Sequence, residues 1–546
     1  MAGVTAAAPS QAPTFLLNAL PRDALTAARH TTRLSALIPP GLTAAVLTTF
    51  TVDVPFLLSV VPALTAQSAD ARVPPPPVLL VVGGGGVHPD AAATLPPHVA
   101  VHAPRLRTPY GVHHAKVMVL WYGHAGVRVV VSTANLTPAD WGGMAQGVYC
   151  RDFPSRLPGG AGGEGGAATP AAPSSGGGDG DDPFGADLAA YLSALGAPAE
   201  PYARRLRGYD LMSAGVDLVA SVPGTHGGAA LQRYGHMRLR RLLAEAPPPP
   251  PAAPPAVAQV SSIGGLSAPW LAAFGDSLHA GCPPPPPPLP PGATAPAAAA
   301  ARGVVVAGYA SGTHLFARAA VLARPAVAAA LHRYAVADGA AAARGGPVSP
   351  RRAATMPHLK TYARAVGPGD AAPLAWVLLS SANVSPAAWG TLVRGGAALS
   401  IASFEVGVLW TPGRWCPPAH DVGVAVGVGR GVPRGVGVGV GGGRTVGGSG
   451  SRRTVGTADV SVRARGGGGG SGWRRPPRRP VFVVDPAFRR AAAAATRDRG
   501  GGAAVVTFPL AHRLDALPYA GGDVEPWSHD VRRGAVDAYG RAWPLE

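Results

Sequence analysis

Apolar and polar residues alternate in blocks along this chain, and the blocks sort into short core elements and stretches that cannot build a core. "PVLLVVGGGG" (77–86), "KVMVLW" (116–121) and "VRVVVS" (127–132) are apolar runs and read as strands. "DLAAYLSALG" (187–196) and "MRLRRLLAEA" (237–246) read as helices. The most apolar stretch, 37–64, contains Pro39, Pro40, Asp53, Pro55 and Pro62, which suits short core elements and not a membrane-spanning helix. Strands of this kind mixed with helices predict a buried, covered sheet of the α/β class. Between them lie 157–182 (Gly, Ala, Pro, Ser), 247–255 (Pro, Ala), 283–301 (Pro, then Ala) and 421–472 (Gly, Val, Arg). None can bury an apolar face, so all four read as solvated insertions or linkers. "RRPPRRP" at 474–480 reads as a nuclear address, a nucleic-acid contact or a solvated loop.

One strand begins oddly. In "YGVHHAKVMVLWYG" (110–123) an apolar run is preceded by His113, His114 and Lys116. The same arrangement recurs downstream. "HAKVMVLWYGHAGVRVVVSTANLTPADWG" and "HLKTYARAVGPGDAAPLAWVLLSSANVSPAAWG" both open with H-x-K, at His114 and Lys116 and again at His358 and Lys360. Both pass through apolar strands to an Asn, Asn135 and Asn383, and both place a Trp six positions later, Trp141 and Trp389. An internal repeat of this length marks two related halves.

The repeated residues carry a chemistry. Residues i and i+2 of a strand share a face, so His114 and Lys116 project together and His113 points away. Two facing copies would bring together two imidazoles, two ammoniums and two carboxamides. That set suits a phosphodiester: Lys and Asn donors hold non-bridging oxygens and stabilise charge in the pentacovalent transition state. One His attacks phosphorus and the other protonates the leaving oxygen. A single His at such a place reads as a hydrogen-bonded structural residue; the paired set does not.

Composition narrows the classes. The chain has 546 residues, a natural length for two domains, and a formal net charge of +18 with 75 Gly and 61 Pro. The charge fits a polyanionic partner and fits equally a compositional bias toward Arg, Ala, Gly and Pro. Cys150, Cys282 and Cys416 are odd in number and far apart, which argues against a disulfide framework or a CxxC zinc site and for a reducing compartment. No charged n-region precedes an apolar core at the N-terminus, and the first dozen residues contain no Arg, so neither a secretory signal nor a transit peptide is expected. The "GGGG" at 83–86 lacks the following Lys-Ser/Thr of a phosphate loop.

The double HxK…N pattern resembles the phospholipase D superfamily, and within it the tyrosyl-DNA phosphodiesterase family, enzymes that remove stalled type IB topoisomerase peptides from DNA 3′ ends. The stretches that carry the resemblance are "YGVHHAK", "ANLTPADW", "YGHMRLRRLL" (234–243), "QVSSIGGL" (259–266), "MPHLKTY" (356–362), "SANVSPAAWG" (381–390), "FEVGVLW" (404–410) and a C-terminal "FPL…LPY…D…PW" (508–527). No Asp follows either Lys at the spacing of the wider superfamily, a departure typical of the tyrosyl-DNA branch.

The resemblance implies an α/β chain of two pseudo-twofold-related α/β/α sandwich domains of phospholipase D type. They would span 13–207, with the insertion 157–182, and 208–546, with insertions at 247–255, 283–301 and 421–480. It implies that His114 is the nucleophile and His358 the general acid and later the base. Lys116, Lys360, Asn135 and Asn383 would bind phosphate. Glu405 would orient His114, and Gln146 would support His358. Taken alone, Glu405 before "VGVLW" reads equally as an edge or turn carboxylate. Tyr110 would stack on a base, although alone it reads equally as a core or rim tyrosine. Ser261 and Ser262 would contact backbone phosphates, while Gly265 stands where the family often has a serine. Ala307 falls where the family carries an acid, a departure outside the catalytic set. No metal or cofactor is expected. The expected partners are single- and double-stranded DNA 3′ ends bearing a phosphotyrosyl peptide, a topoisomerase remnant, with no membrane, a monomeric state and a nuclear location, a plastid or mitochondrial form staying open. Two other readings stay open: another phospholipase-D-type phosphodiesterase or nuclease, and a catalytically weak DNA-binding relative.

Overall fold

Strand-forming runs organise the molecule. The computed structural model describes residues 15–20, 30–64, 74–84, 86–87, 89–156, 182–250, 253–282, 358–367 and 372–414. It also describes backbone strands at 304–308, 331–333, 356–357, 481–484, 505–508 and 517–518. The expected insertions 283–301 and 421–480, and 157–181 of the first, lie outside the described residues.

The N-terminal sheet is built from β1 (Phe15–Asn18), β2 (Thr31–Thr32), β3 (Ala44–Thr49), β4 (Val78–Val82), β5 (Val99–His102), β6 (Val117–Trp121), β7 (Val127–Ser132) and β9 (Gly147–Phe153), with the short β8 (Met144–Ala145) before β9. Its order is β2-β1-β9-β7-β6-β3-β4-β5. β3, β4 and β5 run parallel, and the pairs β3–β6, β6–β7, β7–β9 and β9–β1 are antiparallel.

The second half supplies β10 (Asp217–Ser221), β11 (Gly224–Gly227), β12 (Ala256–Gln259), β13 (Val304–Gly308), β14 (Leu331–Arg333), β15 (Met356–Pro357), β16 (Lys360–Ala365), β17 (Leu374–Ser380), β18 (Thr391–Val393), β19 (Ala398–Ile401), β20 (Glu405–Trp410), β21 (Val481–Val484), β22 (Val505–Phe508) and β23 (Leu517–Pro518). The main path is β10-β20-β17-β16-β12-β13-β14-β23, and β11-β19-β18 form a small separate sheet. β12, β13 and β14 run parallel, while β12–β16, β16–β17, β17–β20 and β20–β10 are antiparallel. Order and direction thus match over seven strands, β1-β9-β7-β6-β3-β4-β5 against β10-β20-β17-β16-β12-β13-β14, with β6 and β7 equivalent to β16 and β17 and with β2 and β23 outside the match. The sequence repeat is a repeat of the fold.

Packing explains the apolar runs. Val117, Val119, Val129, Val131 and Tyr149 of the first sheet share one core with Val377, Leu379, Val406, Val408 and Trp410 of the second. The alternate residues Met118, Leu120 and Val130 face Leu34, Leu37 and Leu57 outside. On the far side Leu378 and Leu409 pack on Leu239, Leu242 and Phe274 of the helices Gly235–Glu245 and Ala268–Leu278. Strands covered on both faces must be apolar at every position, and each buried Val or Leu contributes about 1.5–3 kcal/mol. Gly147 marks the close approach of the halves: a Cβ there would lie 2.5 Å from Leu379 Cδ1.

Two boundaries differ from the sequence reading. The helix expected at 187–196 runs Pro183–Ala194 because Asp182 caps it, accepting from Gly185 N–H at 2.9 Å and from Leu211 N–H at 2.9 Å. Asp182 therefore belongs to the core helix and not to the insertion. The described part of 247–255 leads directly from a helix into β12, and Arg364 Nε donates to Pro254 O at 3.1 Å. Among the described residues no helix is long and apolar enough to cross a membrane.

Candidate active site

The two H-x-K motifs meet where the halves meet, and each is held by the other half. His114 N–H donates to Phe404 O at 2.9 Å, one residue before Glu405. His358 N–H and Leu359 N–H donate to Ala145 O at 2.9 and 3.0 Å, one residue before Gln146. Reciprocal exchange of this kind is what a twofold relation requires.

The side chains follow the same rule. Glu405 Oε2 lies 3.0 Å from His114 Nδ1, and Ser381 Oγ donates to the same oxygen. Gln146 Nε2 lies 3.0 Å from His358 Nδ1, and Thr133 Oγ1 donates to Gln146 Oε1 at 2.7 Å. Thr133 and Ser381 occupy the same position of the repeat, two residues before Asn135 and Asn383. Each lysine donates to the carbonyl of its own motif, Lys116 Nζ to His114 O and Lys360 Nζ to His358 O, both at 2.5 Å. Lys116 is 1 % exposed and Lys360 0 %, whereas the histidine side chains retain 15 % and 16 % exposure. The imidazoles therefore face the opening and the ammoniums stand behind them.

The symmetry fails at one residue. Asp140 sits where the second copy has Ala388. Its Oδ1 accepts from Asn135 N–H and from Gln146 Nε2, each at 2.9 Å, and lies 3.3 Å from His358 Nδ1. Its Oδ2 accepts from Thr137 Oγ1 at 2.8 Å. Burial would raise the carboxyl, but bonds from His358, Asn135 and Thr137 outweigh it and hold Asp140 below the usual range. The sequence reading missed Asp140 because only one copy carries an acid there, in a "TPAD" helix start where Thr137 caps the N–H of Asp140. It also missed Thr133 and Ser381, although a hydroxyl at one position of both copies was a usable signal.

The partners fix the proton on each ring. A carboxylate only accepts, so His114 Nδ1 carries the hydrogen toward Glu405 and Nε2 keeps its lone pair. His358 Nδ1 faces an amide N–H that needs an acceptor and a carboxylate oxygen that needs a donor. Asp140 accepts from Nδ1–H in both the neutral and the protonated ring, which leaves Nε2 to give or take a proton.

Burial dominates the site's electrostatics. It pushes Lys116 down to about 8 against the pull of Glu405 and Asp140. Burial and then Lys116 hold Lys360 well below its ordinary value. Burial and then Lys360 bring His358 to about 4. His114 is also lowered, by burial first and against Glu405. Burial would raise Glu405, but His114 and Lys116 outweigh it and leave a carboxylate. An anion entering this pocket opposes the downward shift of all four bases.

The remaining expected residues are placed as follows. Asn383 Oδ1 accepts from Ser262 N–H at 3.0 Å and Ser261 Oγ at 3.3 Å, which directs its N–H₂ end away from the serines. Asn135 Nδ2 faces both oxygens of Asp140 at 3.3 and 3.4 Å, and its Oδ1 is buried without a partner. Ser261 and Ser262 thus hold Asn383 and lie within its reach. Tyr110 is 86 % exposed, so it is no core tyrosine. Glu405 opens β20, which is paired on both sides, so it is no edge carboxylate. His113 turns away, its Nε2 3.2 Å from Tyr191 OH behind the site. Ala307 lies in β13, beside Gln259 of β12. No group of three or more His, Cys, Asp or Glu among the described residues is arranged to hold a metal ion.

The sequence model of one family, described as tyrosyl-DNA phosphodiesterase, matches residues 25–461. The chain belongs to the tyrosyl-DNA phosphodiesterase family. It is 30 % identical over 394 residues to "Tyrosyl-DNA phosphodiesterase 1" of Arabidopsis thaliana, an alignment covering 69 % of this chain and 58 % of that protein. It is 28 % identical over 321 residues to the protein of the same name from Drosophila melanogaster, covering 56 % and 51 %. The chain thus aligns with little more than half the length of these relatives. The crystal structure of a mutant yeast tyrosyl-DNA phosphodiesterase superposes with a TM-score of 0.52 at 18 % identity, covering 74 % of this chain and 89 % of that one. At that identity the likeness speaks for the fold, which is the phospholipase D type expected from the repeat. The family is named for a phosphodiesterase, and the two His–Lys–Asn sets of the repeat lie where the halves meet.

Proposed function

We propose that this chain hydrolyses the phosphodiester between a DNA 3′ end and a tyrosine, as left by a stalled type IB topoisomerase, through a phosphohistidine on His114. The observation that carries the reading is the unequal partnership of the two histidines. His114 has Nδ1–H held by the Glu405 carboxylate, which leaves Nε2 as the nucleophile and stabilises the positive charge the ring gains on bonding phosphorus. His358, with Asp140 and Gln146 at Nδ1, has a partner in both protonation states, as a group that alternately gives and takes a proton needs.

The steps balance. His114 Nε2 bonds to phosphorus as the tyrosyl oxygen departs with a proton from His358. His358 then removes a proton from water, whose oxygen bonds phosphorus as His114 leaves, giving a DNA 3′-phosphate and free tyrosyl peptide. Lys116 and Lys360, behind the rings, supply positive charge to the equatorial oxygens, and Asn383 offers its N–H₂.

Incubation with a 3′-phosphotyrosyl oligonucleotide in EDTA tests the reading. Release of tyrosine and a 3′-phosphate is expected, because the charge-stabilising groups belong to the protein. Cleavage only within the strand, or only of lipid phosphodiesters, would assign the site to another phospholipase-D-type activity.

A further inference from the structure

One asparagine outside both copies of the repeat ties down the partners of His358. Asn18 ends β1, is fully buried, and precedes residue 25, where the match to the family model begins. Its backbone continues the sheet: Asn18 N–H donates to Gln146 O at 3.2 Å, next to the β1–β9 pair Leu17–Gly147. Its side chain does more than the ladder requires. Asn18 Oδ1 accepts from Gln146 N–H at 2.9 Å, which fixes the amide's orientation and aims its N–H₂ end at the turn before β8. There Asn18 Nδ2 donates to Met144 O at 2.8 Å, to Trp141 O at 3.1 Å and, more weakly, to Asp140 O at 3.4 Å.

These carbonyls need a donor. The short helix Pro138–Gly142 stops as the chain turns into β8, and the carbonyls of a last turn have no intrahelical partner. Asp140 and Trp141 are buried, so water is a poor substitute.

The segment held in this way, 140–146, supplies the contacts of the first half to His358. Ala145 O accepts from His358 N–H at 2.9 Å, Asp140 Oδ1 lies 3.3 Å from His358 Nδ1, and Gln146 Nε2 lies 3.0 Å from the same nitrogen. Asn18 thus acts on the ring through three neighbours at once. The His114 side is built differently. β10 takes the place of β1 and sets Ser221 opposite Glu405. A hydroxyl has one hydrogen to donate and cannot bridge several carbonyls. Glu405 is held instead by Ser381, whose Oγ also accepts from Val406 N–H at 3.0 Å. The staple belongs to one histidine only.

We infer that Asn18 is a positioning residue for proton transfer: it keeps Asp140, Ala145 and Gln146 in register with His358 and so holds that ring with Nδ1–H inward and Nε2 toward the reaction. The inference rests on the proposed roles of the two histidines. A misplacement of about 1 Å costs on the order of 10²-fold in rate, so a loosened turn that still visits the working geometry should cost about tenfold.

The test uses the full chain with Asn18→Ala, which removes every side-chain bond, and with Asn18→Thr, whose hydroxyl can still accept from Gln146 N–H and donate to one carbonyl. Two oligonucleotides carry either tyrosine or 4-nitrophenol on the 3′ phosphate. Nitrophenolate leaves without a proton, so its burst reports attack by His114, and the turnover that follows reports His358. In Asn18→Ala the burst should keep its rate within about twofold, while later turnover slows about tenfold and the enzyme–DNA adduct accumulates on a denaturing gel. With tyrosine the first step should slow as well, by less than the second. Asn18→Thr should fall between Asn18→Ala and wild type. Equal slowing of both steps with both leaving groups and no adduct would make Asn18 a support of the fold alone, as would loss of folding in both variants. Wild-type rates throughout would also overturn the inference. If wild type cleaves neither substrate, the proposed activity fails, and nitrogen NMR of the histidine rings still decides the role of Asn18. The His358 signal, assigned by its loss in His358→Asn, should report Nδ1–H in wild type and both tautomers in Asn18→Ala, with His114 unchanged. A His358 ring that is the same in both proteins overturns it.

Discussion

Replacing Glu405 by Gln isolates the charge that makes His114 a nucleophile. The side chain keeps its size in a buried site, and Ser381 can still donate to the amide oxygen, so the fold should be retained. What is lost is a negative charge 3.0 Å from His114 Nδ1. At an effective dielectric near 20, an imidazolium and a carboxylate at that separation attract by about 5.5 kcal/mol. A neutral amide bond recovers about 1 kcal/mol, and charge spread over the ring removes roughly another. The phosphohistidine and its transition state should therefore lose about 3–4 kcal/mol, or roughly 10²–10³-fold in rate at 1.36 kcal/mol per decade. A further penalty applies if the amide turns its N–H₂ toward His114, because the ring proton then moves to Nε2 and the lone pair is lost. Single-turnover cleavage of a 3′-phosphotyrosyl oligonucleotide, followed on a denaturing gel beside a thermal unfolding curve, measures the effect. A folded Glu405→Gln protein within about tenfold of wild type would refute the argument, since a surface ion pair contributes no more than that.

Other outcomes follow from the same geometry. Tyrosine leaves with a phenol pKa near about 10, so His358→Asn or His358→Arg should slow hydrolysis more than attack and accumulate an enzyme–DNA adduct. The adduct should be missing when His114 is also replaced; an adduct trapped by the His114 variant instead would reverse the assignment. Asp140→Asn removes the acceptor that stabilises protonated His358, so the rate should fall by roughly 10–100-fold. It should fall least for a substrate with a good leaving group such as 4-nitrophenolate; equal losses for both leaving groups would make Asp140 purely structural. Burial pushes Lys116 down to about 8, so kcat/KM should decline above about pH 8 while kcat, with an anion bound, holds to higher pH. The same shift acts on stability with a definite sign: between about 8 and the unfolded value of 10.5 the unfolded chain binds more protons, so this lysine's contribution rises with pH. A Lys116→Met variant should lose that rise in urea melts across the window, and an identical profile would remove Lys116 as its source.

Sequence reasoning found what the chain states twice. The strands after His114 and His358, the two asparagines and the two tryptophans were legible because each copy vouched for the other. Residues stated once were not. Asp140 has Ala388 as its counterpart and looked like an ordinary helix-start acid. Tyr191, behind His113, comes from a helix far away in sequence that no local pattern links to the motif. Gln146 and Glu405 were assigned by resemblance alone, since nothing in "AQG" or "FEV" marks a ring's partner until the halves close.

The crossed supply of Glu405 to His114 and of Gln146 to His358 also has a consequence for the life of the molecule. Neither half holds a histidine whose second nitrogen is already engaged. A nascent chain that has finished only the first sheet exposes His114 with both nitrogens wet and no fixed tautomer, and a proteolytic fragment is in the same condition. On the proposed function, the capacity to break a DNA linkage therefore arises only when the two halves dock and cannot arise from either half alone.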